Sequence, residues 1–280
     1  MKKSRLLLLT GACLPLLAPP AHAQQAPSPY RTRFVVDAPI TAGLIGAAGA
    51  GFYMLKQKNG LTQEQLSRLD RNDVPKFDRF AAGNYSDRAQ KVGDALCYPS
   101  MVVAPALLVL NDNVRGRYGQ VLGLYVQSLA LTDAAFTLTV GNVYRYRPYL
   151  YGDEGGNRPG SQRTGRIATN SFFAGHTAHT AVATFFAAKV FHDFNPDSPA
   201  RPYVWTTAAL VPAVVAYTRI EAGKHFLSDN LVGYTVGAAS GILVPQLHKT
   251  AGRRGMSVSP LQGVNANGFA YSGFSLTKQL

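Results

Sequence analysis

Six stretches free of Asp, Glu, Lys and Arg recur along this chain: 38–55, 95–110, 118–132 running on past Asp133 to Tyr144, 177–188, 202–218 and 230–247. Each is of helix length, and none alternates apolar with polar residues as a half-buried strand does. Such segments hide their apolar faces by stacking on one another. The sequence therefore predicts an all-α fold, a bundle of about six core helices. Crossing a hydrocarbon core takes about 20 apolar residues, and several stretches are marginal by that measure. Two arrangements stay open, a transmembrane bundle and a soluble periplasmic one.

Composition bears on that choice. Charged residues make up 15% of the chain, against about 25% in ordinary soluble domains, which points to a membrane or a very large buried core. The mean hydropathy of -0.02 pulls the other way. The net charge of +13 favours anionic partners such as phosphate esters or anionic lipid headgroups. Nucleic acid is not an expected partner, because no dense Lys/Arg tract occurs.

At the start of the chain, Lys2, Lys3 and Arg5 precede LLLLTGACLPLLAPP, and Ala21-His22-Ala23 supplies small residues for cleavage. This is the pattern of a secretory signal peptide over 1–23, so the protein is expected in the cell envelope. Cleavage removes Cys13 and leaves Cys97, which excludes an internal disulfide and makes Cys97 a small apolar core residue. The expected organisation is 1–23 signal peptide, 24–94 N-terminal helical and polar region, 95–250 helical core and 251–280 tail. Within 56–94, Thr62 followed by Gln65 forms a capping box that opens a short surface helix, LTQEQLSRL. The Gly-rich run 149–170 has no apolar period and reads as a long mobile loop over a site. The tail alternates loosely, as a strand or an unstructured segment would.

Charges cluster where apolar stretches end. In YTRIEAGKHFLSDNLVG, 217–233, a helix beginning around Lys224 would put His225 and Asp229 at i and i+4 on one face. A carboxylate there can accept one imidazole N–H and leave the other nitrogen basic. Arg219 lies beyond Gly223, where a turn could return its fork to the same spot. By itself the stretch is equally a helix-terminal histidine with a capping arginine. YRYRPYLYG, 144–152, offers Arg145 and Arg147, two planar forks suited to phosphate oxygens or to a membrane edge. In NSFFAGHTAHT, 170–180, Gly175 allows a tight turn and His176 opens a helix whose free N–H groups attract phosphate. His176 and His179 lack a third ligand at metal spacing, so neither metal nor cofactor is expected.

Taken together, the three clusters resemble the type 2 phosphatidic acid phosphatase family, which shares a helical fold with bacterial acid phosphatases and vanadium haloperoxidases. The family pattern is a Lys, six residues, then Arg-Pro; next Pro-Ser-Gly-His; last Ser-Arg, five residues, His, three residues, Asp. Arg147-Pro148, Gly175-His176, and Thr218-Arg219 with His225 and Asp229 stand at those places. The resemblance implies that His225 attacks phosphorus, that Asp229 holds its ring, and that His176 protonates the departing alcohol and then activates water. It implies that Arg147, Arg219 and the N–H groups of Gly175 and His176 bind the phosphoryl oxygens. Four positions depart: Val140 stands for Lys, Phe173 for Pro, Ala174 for Ser and Thr218 for Ser. Arg145, Lys224, Arg163 or Arg166 could supply the cation missing at Val140.

The activity so implied is a metal-independent phosphomonoesterase or pyrophosphatase acting on a lipid phosphate. Alternatives are a soluble acid phosphatase of broad specificity, a haloperoxidase and a non-catalytic envelope protein. If all six stretches crossed a membrane after leader cleavage, the catalytic loops would face the cytoplasm. A periplasm-facing site therefore expects that 38–55, rich in Gly and Ala, does not span, or that the bundle is soluble. Oligomeric state leaves no mark in the sequence.

Overall fold

The computed structural model describes residues 27–152, 160–250, 256–264 and 270–278. The expected signal peptide, the first residues after it and parts of the 149–170 loop and the tail lie outside the described residues. Nine helices are described: α1 Phe34–Gln57, α2 Gln63–Ser67, α3 Asp87–Ala106, α4 Asp112–Arg115, α5 Tyr118–Asn142, α6 Gly160–Thr164, α7 Gly175–Phe194, α8 Arg201–Glu221 and α9 Leu227–Leu247. The six long ones are the six uncharged stretches, extended by the residues that cap them. α3 runs unbroken through the expected 94/95 boundary.

At the centre stands α7, packed by α3, α5, α8 and α9. Its Ala178, Ala181, Val182, Ala183, Phe186 and Val190 are fully enclosed. A helix apolar on all sides has to be surrounded, and each large side chain so buried contributes about 1.5–3 kcal/mol. Tyr30, Val121, Leu124, Tyr125, Phe186 and Val244 build the core at the end away from the charged clusters. There Asp193 accepts hydrogen bonds from Tyr30, Lys189 and Lys249, which ties the segments before α1 and after α9 to α7.

Three helical stretches are long and apolar enough to cross a membrane: Phe34–Gln57, Asp87–Leu110 and Tyr118–Asn142. α1, which contains the Gly/Ala-rich run 38–55, is one of them. It is longer than that run because Phe34, Val35 and Val36 on one side and Lys56 and Gln57 on the other continue the helix. Phe34, Val35 and Tyr53 are exposed on it. The two final helices, α8 and α9, are not among the three.

The polar segment 56–94 is not merely surface. Its short helix α2 carries both bonds of the expected capping box, Gln65 N–H to Thr62 Oγ1 and Thr62 N–H to Gln65 Oε1. Yet Lys58, Asp78, Ala81 and Ala82 are buried. Leu61 and Leu66 pack with Tyr149, Leu150 and Ala168, so the described part of the 149–170 loop is built into the body. Polar residues are enclosed here because each meets a partner at a helix end. Beyond the bundle, β1 Met256–Val264 pairs antiparallel with β2 Ala270–Lys278.

Candidate functional site

The connection from α8 to α9 explains the Arg-x5-His spacing. Gly223 takes φ +66°, a conformation open to glycine at no steric cost. Gly223 N–H then donates to Ile220 O at 2.9 Å and Lys224 N–H to Arg219 O at 3.0 Å. This is a Schellman ending. It folds the chain back so that His225 N–H reaches the same Arg219 carbonyl at 3.3 Å. A Cβ on Gly223 would lie 1.8 Å from Asn84 O.

One detail corrects the sequence reading. α9 begins at Leu227, so His225 sits in the connection and shares no helix face with Asp229. Asp229 is in the first turn, where exposed helix N–H groups claim its carboxylate. Its Oδ2 accepts from Phe226 N–H at 2.8 Å and from Ser171 Oγ–H at 2.6 Å. His225 Nδ1 stands 2.6 Å from Ser171 O. A carbonyl accepts only, so Nδ1 carries the proton and Nε2 keeps its lone pair. Asp229 thus holds the ring through Ser171 rather than by touching it. Ser171 was missed because a serine one residue after Asn170 carries no motif.

The second histidine enters at the start of α7, where Gly175, His176 and Thr177 have N–H groups without acceptors inside the helix. Ala174 N–H donates to Asp229 O at 3.1 Å and Thr177 Oγ1 to Asn230 Oδ1 at 2.6 Å, so the N-terminal ends of α7 and α9 are laced together. His176 Nε2 lies 3.1 Å from Asp94 Oδ1 without hydrogen-bonding alignment, and Arg219 Nη1 donates to that same oxygen at 2.8 Å. Asp94 comes from α3, and its one trace in the sequence is a lone acid before an uncharged run. Among the described residues, His176 Nε2 and Arg219 Nε are buried without a hydrogen-bond partner. Leaving such groups unpaired costs roughly 1–3 kcal/mol each, and an anion seated between them would remove that cost.

Arg147 stands in the connection after α5, one residue before Pro148. Its Nε donates to Ile167 O at 2.9 Å and its Nη2 to Asn170 O at 3.2 Å. Complete burial holds the His225 imidazole well below its usual range, and the positive charges of Arg147 and Arg219 push the same way. Burial, then Arg219, lowers His176 to about 4, against the opposing pull of Asp94. Burial raises Asp229 to about 6, against the opposing pull of Arg145. The charges of Arg147 and Arg219 thus act on both imidazoles. His179 stands apart, with Nδ1 on Gly175 O and Nε2 on Asp133.

Two residues held in reserve as phosphate ligands have partners of their own. The Arg145 guanidinium donates to Asp229, to Asp78 Oδ2 at 2.6 Å and to Ser228 Oγ at 2.8 Å, so it lies behind Asp229. Lys224 Nζ rides 5.6 Å from the centre of the Tyr149 ring. Near Val140, where the family has its lysine, stands a different cation. Lys58 Nζ donates to Val140 O at 2.9 Å, Val143 O at 2.8 Å and Asn170 Oδ1 at 2.7 Å. An ammonium has three N–H groups, and here they bind the end of α5 to the segment before Ser171. Burial lowers the Lys58 amine to about 8.

Residues 121–253, the part of the chain that carries the three motifs, match the family model described as PAP2 superfamily. A lipid A 4'-phosphatase of Porphyromonas gingivalis is 31% identical over 88 residues, which cover 31% of this chain. The match spans 34% of that relative's length. Among solved structures, a transmembrane PAP2-type phosphatidylglycerolphosphate phosphatase from Bacillus subtilis aligns over 75% of this chain and 94% of its own, with a TM-score of 0.42 at 17% identity.

Proposed function

We propose that this chain is a phosphatase of lipid phosphates that works through a phosphohistidine, with its site on the periplasmic side of the membrane. One observation carries the reading: a neutral His225, whose Nδ1–H is tied to Ser171, lies within electrostatic reach of Arg147, Arg219 and His176, and His176 Nε2 and Arg219 Nε are buried without a hydrogen-bond partner. That arrangement suits an anion with a nucleophile on one side and a proton donor on the other.

His225 Nε2 attacks phosphorus and the ester P–O bond breaks. His176 gives its proton to the departing oxygen, and the phosphoryl group rests on His225. In the second step water attacks phosphorus, His176 takes the water proton, the N–P bond breaks, and inorganic phosphate leaves. Arg147, Arg219 and the N–H groups of Gly175 and His176 hold the equatorial oxygens, where charge builds in both transition states. The bound phosphate brings negative charge beside His176 and raises its affinity for the proton it must donate. No step calls on a metal ion or cofactor. Residues 24–94 act with the 95–250 core in this reading, since Asp94 belongs to the site.

The name of the P. gingivalis relative and the three apolar helices support a lipid substrate. The test is phosphate release from phosphatidate, phosphatidylglycerol phosphate, a polyprenyl pyrophosphate, lipid A and p-nitrophenyl phosphate. Wild type should hydrolyse at least one lipid faster than p-nitrophenyl phosphate and form an alkali-stable, acid-labile phosphoenzyme. His225→Ala should do neither. Equal rates for wild type and His225→Ala would end the proposal.

A further inference from the structure

Arg145 touches both residues that hold the nucleophile. Its side chain pairs with the Asp229 carboxylate, which in turn fixes Ser171 Oγ and Phe226 N–H on either side of the His225 ring. Its main chain pairs with the Ser171 segment: Ser171 N–H donates to Arg145 O at 3.0 Å, and Arg145 N–H to Thr169 O at 2.9 Å. The guanidinium carbon lies 4.8 Å from the centre of the Phe226 ring, next to His225 in the chain. One residue therefore meets the carboxylate, the carbonyl-bearing segment and the neighbour of the imidazole.

Arg145 is itself held from outside the matched family segment. Asp78 is fully buried. Its Oδ2 accepts from Arg145 Nη2 and from Ser228 Oγ–H, both at 2.6 Å, and its Oδ1 accepts from Ser228 N–H at 3.0 Å. The loop containing Asp78 is kept in place by Val74, Ala81 and Ala82, which pack on Ile220 and Phe226. Two buried carboxylates thus share one largely buried arginine, in surroundings where charge-assisted bonds are strong and an unmatched charge is costly.

We propose that Arg145, clamped by Asp78, is a positioning residue of the nucleophile: it keeps Asp229 ionised and thereby keeps the His225 ring aimed through Ser171. The proposal rests on the phosphohistidine reading above. It also assigns a task to the segment before α3, which no motif marks.

The charged groups acting on Asp229 are Arg145, which donates to its carboxylate, and Asp78, which shares that arginine; His225 lies beyond Ser171, under the charges of Arg147 and Arg219. Arg145 lowers the Asp229 pKa and Asp78 raises it. Activity requires ionised Asp229, so it rises with pH through that group's titration. Arg145→Gln should move this acidic limb of kcat/KM to higher pH, and Asp78→Asn should move it to lower pH. Arg145→Gln should also lower kcat about 10- to 100-fold, the usual effect of losing a partner that orients a working ligand, with KM near wild type. A purely structural part for these residues would lower the yield of folded protein without moving the limbs in opposite directions.

The experiment is a pH profile of phosphate release for wild type, Arg145→Gln, Asp78→Asn and His225→Ala, each checked by thermal unfolding. Limbs displaced in opposite directions support the proposal. If Arg145→Gln fails to fold, the direction of the Asp78→Asn shift decides. An active wild type, an inactive His225→Ala and unmoved limbs overturn the proposal alone. A wild type that releases no phosphate removes the phosphatase reading and this proposal with it.

Discussion

Placing a methyl group on Gly237 tests whether the two histidines depend on a close crossing of helices. Gly233, Gly237 and Gly241 stand four residues apart on α9 and face α7. A Cβ at each would fall 2.4 Å from Ala174 O, 2.1 Å from Ala178 O and 2.7 Å from Val182 O. Small residues at this spacing let helix backbones approach closely. Gly237→Ala must open the crossing from 2.1 Å towards an ordinary 3.4 Å contact, so the helices separate by about 1.3 Å or the crossing tilts. Overpacking of this kind costs about 1–3 kcal/mol, a fall in Tm on the order of 2–10 °C for a chain of this size. The larger effect is on rate. α7 carries His176 and α9 carries Asp229, joined by the 3.1 Å bond from Ala174 N–H to Asp229 O. A misplacement of about 1 Å at a reacting centre costs about 100-fold. Phosphate release and thermal unfolding of purified Gly237→Ala protein are the assays, with Gly123→Ala as control. A Cβ at Gly123 meets nothing within 4 Å, so that change should leave kcat alone and add about 0.5–1 kcal/mol of helix stability. Wild-type kcat and Tm in Gly237→Ala would refute the reasoning.

Two further changes bear on the cage itself. Gly223→Ala adds a left-handed backbone cost of about 1–2 kcal/mol to a 1.8 Å collision with the Asn84 carbonyl. It should lower Tm and abolish phosphate release together; retention of either contradicts the account of the α8–α9 turn. Asp94→Asn removes the charge that favours protonation of His176. The proton donor is then lost at lower pH, so the falling alkaline limb of kcat/KM should shift acidward. The loss should be greater for an alkyl phosphate than for p-nitrophenyl phosphate, whose departing oxygen needs less help from an acid. A profile superimposable on wild type would show that Asp94 serves only to hold Arg219.

The sequence by itself determined the helical class, the six long helices and the three charged clusters at their ends. These are local matters. An uncharged run of helix length has one stable way to satisfy its backbone, and Thr62 with Gln65 caps α2 through neighbours three residues apart. Spacing also carried the Arg219–His225 relation, because a helix ending in glycine has a set length. Tertiary structure alone decided which groups touch. Asp94, Ser171, Lys58 and Asp78 join the site or its support from 54 to 150 residues away from their partners, and such distances leave no periodic trace. For the same reason the direct His225–Asp229 contact was misjudged. Whether that carboxylate meets the imidazole or the helix N–H groups depends on where α9 starts and on what Arg145 brings to its other side, and both are settled by packing.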